Sequence, residues 1–267
     1  TAYVSDHDYH LHSYLSSCSN DPEQTVEALL SYAKANGLTR ICLTDHFWDA
    51  DVPGASGWYV PQDYAHIAKA LPLPKDPQVE FYFGCETDMD AKLNIGIAPD
   101  KFDLFDFVII PTTHLHMGAF TVPPDIATVA ERARWYVKRL DVLLTMDLPF
   151  HKIGLAHMTC PLIYKDHWDY HLQVLDTISD SEYNELFAKS AEKGLGIELN
   201  LTVASYSEVD LERVLRPYKL AKAQGCRFYF GSDAHHPAGL EKVMDNFNEI
   251  SRLLALEKEH IFDFRQN

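Results

Sequence analysis

Polar and apolar positions along the chain alternate between two textures. Short runs of β-branched, aromatic and leucine residues occur in DYHLH, RICLTDH, VEFYFGCE, FDFVIIPTTH, KIGLAHM, LGIELN and CRFYFGSDAH. Continuous apolar runs of that length predict strands buried on both faces. Between them apolar residues recur at helical spacing over Pro22 to Asn36, about Ala127 to Met146, Asp180 to Lys193, Ser207 to Gln224 and Leu240 to Leu256. The first of these helices has marked ends, with Pro22 after Asp21 at a first turn and Gly37 as the C-terminal glycine. Seven strands alternating with helices predict parallel β/α units. The Pro/Gly-rich stretch from Val52 to Pro61 and the LPLPKDP segment from Leu71 predict surface loops rather than linkers, so residues 1–267 are expected to form one domain.

Composition narrows the partners. Hydrophobic residues make up 46% and charged residues 23%, which excludes a disordered chain. The formal charge of −16 repels nucleic-acid backbones and anionic membranes, and no basic patch offsets it. The densest basic stretch, Arg132 to Arg139, is broken by apolar residues at helical spacing. Neither a nucleic acid nor a membrane is therefore an expected partner, and no apolar run approaches the roughly 20 residues of a membrane span. The opening residues TAYVSDHDYH show no basic segment followed by an apolar one, so no secretory signal is expected among them. Five widely spaced cysteines do not form a disulfide framework, and a reducing cytoplasm is the simplest setting. Oligomeric state leaves no trace in the sequence.

The chemistry gathers at the strand ends. In order, the runs finish on His10 and His12, Asp45 and His46, Glu86, His114, His157, Asn200, and Asp233 with His235. In closed β/α barrels the C-terminal ends of the strands carry the active site, so residues distant in sequence would converge there. His10 and His12 stand at i and i+2, as do Asp233 and His235, a spacing that sends both side chains of a strand to one face. Imidazole with carboxylate suits Zn, Mn or Fe as divalent ions, and a carboxylate such as Glu86 can join two of them. One histidine pair alone would be a weak signal. Seven polar strand ends inside a barrel would be unsatisfied without a cation.

These motifs, in order, resemble the PHP (polymerase and histidinol phosphatase) family of metal-dependent phosphoesterases. DYHLHS at Asp8 to Ser13, LTDH at Leu43 to His46, GCE at Gly84 to Glu86, His114, AHM around His157 and GSDAH at Gly231 to His235 carry the resemblance. It implies a distorted (β/α)7 barrel and a site for three divalent metal ions. His10, His12, Glu86 and Asp233 would hold the first ion. A bridging Glu86 with His114 and His157 would hold the second. His46 and His235 would hold the third, with Cys18, where the family more often has His or Asp. The implied activity is hydrolysis of a small phosphate monoester, closest in layout to the histidinol-phosphatase branch, by attack of a metal-bridging hydroxide. Glu86 and Asp233 would be catalytic, with His116 or His236 as proton donor. An amidohydrolase-type C–N hydrolase and a non-catalytic PHP module are the alternatives. The first usually has a carboxylated lysine where Glu86 stands, and the complete ligand set argues against the second.

The segment after the sixth strand departs from the histidinol-phosphatase branch, which carries a basic residue there. Here it runs Asn200 to Tyr206 without Lys or Arg, and every arginine falls at a strand start, on a helix or in the tail. Lys92 and Lys165 are the evident cations of the rim. With Asn200, they are the candidate substrate contacts.

Overall fold

A computed structural model describes residues 1–265. Seven parallel strands pair in sequence order: β1 (His7–Leu11), β2 (Arg40–Leu43), β3 (Glu80–Glu86), β4 (Phe107–Ile109), β5 (Ile153–Leu155), β6 (Gly196–Leu199) and β7 (Arg227–Phe230). The sheet curls until its edges meet. Asp233 N–H donates to the His10 carbonyl at 2.8 Å and His12 N–H to the Ala234 carbonyl at 3.1 Å. Lower on the seam, side chains replace missing ladder acceptors: His7 Nε2 accepts from Phe230 N–H at 3.0 Å and Asp8 Oδ1 from Ser232 N–H at 3.0 Å. The result is the expected distorted, nearly closed barrel in a single α/β domain.

The surrounding helices are α1 (Val26–Ala35), α2 (Tyr64–Ile67), α3 (Val129–Leu143), α4 (Trp168–Thr177), α5 (Asp180–Lys193), α6 (Glu208–Ala223) and α7 (Val243–Leu253). Thr128 and Ser179 form capping boxes with Glu131 and Glu182, so α3 and α5 start where their first-turn N–H groups find side-chain acceptors. Gly37 has the left-handed conformation expected just past α1. Pro22 lies in a turn before α1 rather than in it, because Thr25 caps the helix by accepting from Ala28 N–H. Helix α4 was not legible as a helix, since WDYHLQVLDT sets its helix formers behind an aromatic and polar first turn. None of the helices described is long and apolar enough to cross a membrane, and all five cysteines are free.

Strand alternation divides the core. Val108, Ile153, Ile197, Phe228 and their like point outward beneath the helices. Tyr9, Phe107 and Tyr229 point inward, where Phe262 and Phe264 from the C-terminal segment join them to plug the barrel floor. The Phe107 and Phe264 rings stack at 5.1 Å, and Arg40 closes the floor with an ion pair to Asp263 at 2.9 Å. Seven strands enclose little space, so inward positions beside those rings are glycines: a Cβ on Gly154 would meet Tyr229 and Phe107, and one on Gly196 would meet Phe262.

A β-bulge in β1 decides what lies above the plug. Between Asp8 and Leu11 the pairing with β2 slips by one residue. Tyr9 therefore faces the interior and so does the next residue, His10, while Leu11 packs outward. The bulge is the switch from aromatic plug to polar centre.

Gly84 tests the tightness of this interior. A Cβ there would run into the Phe107 backbone carbonyl and approach Cys42 Sγ at 2.9 Å, whereas Gly57 has open space. Gly84→Ala should lower unfolding stability by about 1–3 kcal/mol in denaturant titration. Gly57→Ala should stay within about 0.5 kcal/mol of the parent. Equal stability of the two variants would mean the interior yields more than this packing allows.

Candidate metal centre

The strand ends (His10 on β1, Glu86 on β3) and the loops that follow the strands carry eight of the nine expected ligands to one point above the aromatic plug. Their donor atoms form three groups: His10, His12, Glu86 and Asp233; Glu86, His114 and His157; and His12, His46 and His235. Glu86 joins the first two. Its Oε1 lies 3.1 Å from His10 Nε2 and from His12 Nε2, and its Oε2 lies 3.4 Å from His157 Nε2 and 3.6 Å from His114 Nε2. The backbone bends to achieve this. His157 and Asp233 both have positive φ, 30° and 58°, where a non-glycine residue costs about 1–3 kcal/mol.

The partners of each ring decide which nitrogen faces the centre. His10 Nδ1 donates to the Glu198 carboxylate at 2.6 Å and His114 Nδ1 to that of Asp88 at 2.8 Å. His235 Nδ1 donates to the Asp233 carbonyl at 2.7 Å. Ser16 Oγ–H donates to Asp45, leaving its oxygen to accept from His12 Nδ1 at 2.9 Å. Thr113 does the same for His157 Nδ1 at 2.9 Å. With each Nδ1 as donor, each Nε2 presents a lone pair to the middle. His10 and His12 bring those nitrogens to 3.1 Å of each other, and His114 and His157 to 3.2 Å. Two lone pairs at that distance repel unless a shared proton or a metal ion lies between them. Nitrogens sharing one tetrahedral ion at about 2.05 Å would stand about 3.3 Å apart.

Buried oxygens and nitrogens make the same demand. His46 Nδ1, Glu86 Oε2 and Asp233 Oδ1 have no hydrogen-bond partner. Burial alone would push the Glu86 and Asp233 carboxyls up, but the imidazoles beside them, His10 foremost, hold both well below the usual carboxylate range when those rings carry the protons that a metal ion would displace. Both are anions, and both have free oxygens. The donor set therefore fits divalent metal ions.

Comparison with known proteins agrees with this geometry. The PHP domain family matches residues 8–202, most of the chain. The chain belongs to that family. It is also similar to a probable phosphatase of Vibrio atlanticus (strain LGP32), 27% identical over 252 residues, covering 91% of this chain and 84% of that protein. In fold it is similar to the crystal structure of histidinol phosphate phosphatase from Lactococcus lactis subsp. lactis Il1403 complexed with zinc, L-histidinol and phosphate. That match has a TM-score of 0.63 and 18% identity, and covers 96% of this chain and 98% of that one.

The remaining predicted residues fall at different distances from the PHP centre. Cys18 corrects the third ligand group: it is exposed, lines the cavity above the cluster, and stands outside all three donor groups, where His12 takes its place. The turn after β1 carries it to the cavity mouth. His116 and His236 line the same cavity, both exposed. Lys92 does not reach it and lies in a separate depression beside Leu93 and Arg134. Lys165 is exposed and lines no described cavity, though it lies near enough to His116 to act on its charge. Asn200 borders a second cavity on the far side of Asp233. Of the aromatic loop residues, Trp48 and Tyr59 are buried and Trp58 stands half-exposed at the cavity wall.

Sequence reasoning missed the supports. Glu198, Asp88, Ser16 and Thr113 orient the ligands, and one signal was available: Glu198 is a carboxylate between Ile197 and Leu199 in an otherwise apolar strand, one residue before the end of β6. Arg139 of α3 was missed as well. Fully buried, it donates to the carbonyls of Thr112 and Met89 at 2.8 Å each and of Asp90 at 3.1 Å, tying the Asp88 loop to the His114 loop.

Glu198→Gln should leave the fold intact by circular dichroism yet lower zinc affinity by about 10–100-fold in chelator competition, because His10 loses the anion that fixes its tautomer. Cys18→Ser should leave the bound-metal stoichiometry unchanged, and His235→Ala should reduce it. A loss of metal with Cys18→Ser would restore the thiol to the ligand set.

Proposed function

We propose that this PHP protein is a metal-dependent phosphatase that hydrolyses small phosphate monoesters. The observation that carries the proposal is the convergence of six histidines and two carboxylates beneath an open cavity, with His46 Nδ1, Glu86 Oε2 and Asp233 Oδ1 buried and unpartnered. Three divalent ions are the proposed complement: one on His10, His12, Glu86 and Asp233, one on Glu86, His114 and His157, and one on His46 and His235 beside His12. When bound, such ions supply Lewis acidity toward phosphoryl oxygens and a lowered pKa for water. The Lactococcus protein's complex with zinc and phosphate, and the probable phosphatase activity of the Vibrio protein, support the reading.

In hydrolysis a water oxygen bonds to phosphorus, the phosphorus–oxygen bond to the organic group breaks, and that oxygen takes a proton to leave as an alcohol. The chain's own part is to hold the ester and to supply that proton. His236 is the proposed donor: it stands at the cavity wall with Nδ1 3.4 Å from the Asp21 carboxylate, which can orient the ring. His116, at the exposed rim of the same cavity, is placed to hydrogen-bond the ester instead. Glu86 at the shared position favours this chemistry over C–N hydrolysis, whose barrels usually place a carboxylated lysine there.

The purified protein should carry close to three equivalents of divalent transition metal by elemental analysis, and chelation should abolish phosphatase activity. Glu86→Gln should keep the fold and lower kcat by at least about 10²-fold, because one side chain serves two donor groups. Wild-type turnover in that variant, or activity indifferent to chelators, would refute the reading.

A further inference from the structure

The cavity over the metal centre has a volume of about 670 Å³ and two unlike surfaces. Its floor is the donor cluster. Its walls are Trp58, Met117, Phe120 and Leu162, all half-exposed, with Tyr59 behind them. Apolar side chains beside a polar cluster, with part of their surface left open, mark a place where an apolar group is taken up. Trp58 reaches furthest in, its ring edge-on to His46 with centroids 5.0 Å apart.

Charge narrows the occupant. Among the described residues lining this cavity there is no lysine or arginine, and the only carboxylates are Glu86 and Asp233, which belong to the donor groups. A protonated amine entering here would lose water without gaining a counter-ion, and so would a second anionic group. The other cavity bordering Asp233 is smaller and more polar. It is about 330 Å³, shares Leu162 with the first, and adds Trp168 and Leu201 to Asn200, Thr202, Ser205 and Tyr206. It shares Asn200 and Thr202 with a cavity where Glu241, Asp245 and Glu249 outnumber Lys242. A cationic or polyhydroxy substrate would suit that side. The apolar cavity is twice its volume and touches ligands of all three donor groups.

From this contrast, and on the reading of the protein as a phosphatase, we infer that the preferred substrate is a phosphate monoester whose organic group is uncharged and apolar, of aryl or arylalkyl kind. That group lies against Trp58, Met117, Phe120 and Leu162. Esters of amino alcohols, histidinol phosphate included, are disfavoured.

The test compares 2-phenylethyl phosphate with 2-aminoethyl phosphate on the metal-loaded full chain, esters whose leaving groups are both primary alcohols. The phenyl ester should have the higher kcat/KM by at least about 30-fold, the scale of burying one aromatic ring. The matching phosphonates, which cannot be hydrolysed, should show the same order of affinity by calorimetry. Trp58→Ala should narrow both preferences by about tenfold and Trp58→Phe should keep most of them. Met117→Glu should narrow them too, by supplying the missing counter-ion. Melting curves show that each variant is folded. Turnover of both esters without preference, or a preference for the amine, overturns the inference. Turnover of neither, with the phenyl phosphonate still bound more tightly, overturns the phosphatase reading and leaves the apolar subsite standing.

Discussion

Everything in this molecule is arranged around a repulsion. Imidazole nitrogens at 3.1 and 3.2 Å from one another, each with its lone pair turned inward, do not form a stable centre by themselves. Their tautomers are held by acceptors behind them: Glu198 for His10, Asp88 for His114, the Asp233 carbonyl for His235. Rotating any ring to relieve the repulsion would break one of those bonds and leave a buried polar group unpaired, at a cost of about 1–3 kcal/mol. The outer contacts therefore keep the inner repulsion in place, and only cations relieve it. This links ligand orientation to metal affinity, and metal affinity to stability, since ions that bind the folded cluster alone favour the folded state.

The barrel beneath supplies the rigidity this requires. Its floor is a packed aromatic plug into which the C-terminal segment contributes Phe262 and Phe264, so residues at the far end of the chain support the ligands of β1. Inward glycines make room for the rings, and the β1 bulge starts the polar layer directly above them. Arg139 adds a second brace. It is a buried cation with carbonyl oxygens around it, and burial pushes its guanidinium down to about 10 while Asp88 and Asp90 lift it. Removing it would free two loops at once, those carrying Asp88 and His114.

The elements that could be seen in the sequence were those with a period or a motif. Continuous apolar runs marked six of the strands and the DYHLH motif the first. A histidine or acid at the end of every run but the sixth, which ends on Asn200, marked the site, because a barrel places those ends together. What stayed hidden depends on relations across the chain. The bulge in β1 leaves no composition signature, so the inward turn of both Tyr9 and His10 could not be read from alternation. Cys18 stands six residues past His12, a spacing that implied a ligand, yet the turn there carries its sulfur to the rim. Lys92 looked like a rim cation because it follows β3 closely, but the loop swings it into another depression. Helix α4 has its helix formers, Leu172, Gln173 and Leu175, set behind an aromatic and polar first turn that gave no clear period, and it packs against α3 and α6.

Net charge and local charge act in opposite directions at this site. The chain carries −16 overall, so at long range it repels a phosphate dianion, and none of the arginines lines the cavity to counter this. Arg213 is taken by Asp169, Asp176 and Asp210, Arg216 by Asp180, and Arg132 by the carbonyls of Leu115 and Ile163. A guanidinium fork would grip two phosphate oxygens in the ground state as firmly as in the transition state. On the proposed reading, leaving that task to bound metal ions would move the attraction from a side chain beside the phosphate to the place where charge changes during reaction. The organic group must then be oriented without help from charge, and the apolar wall of Trp58, Met117, Phe120 and Leu162 is the part of the cavity able to do so.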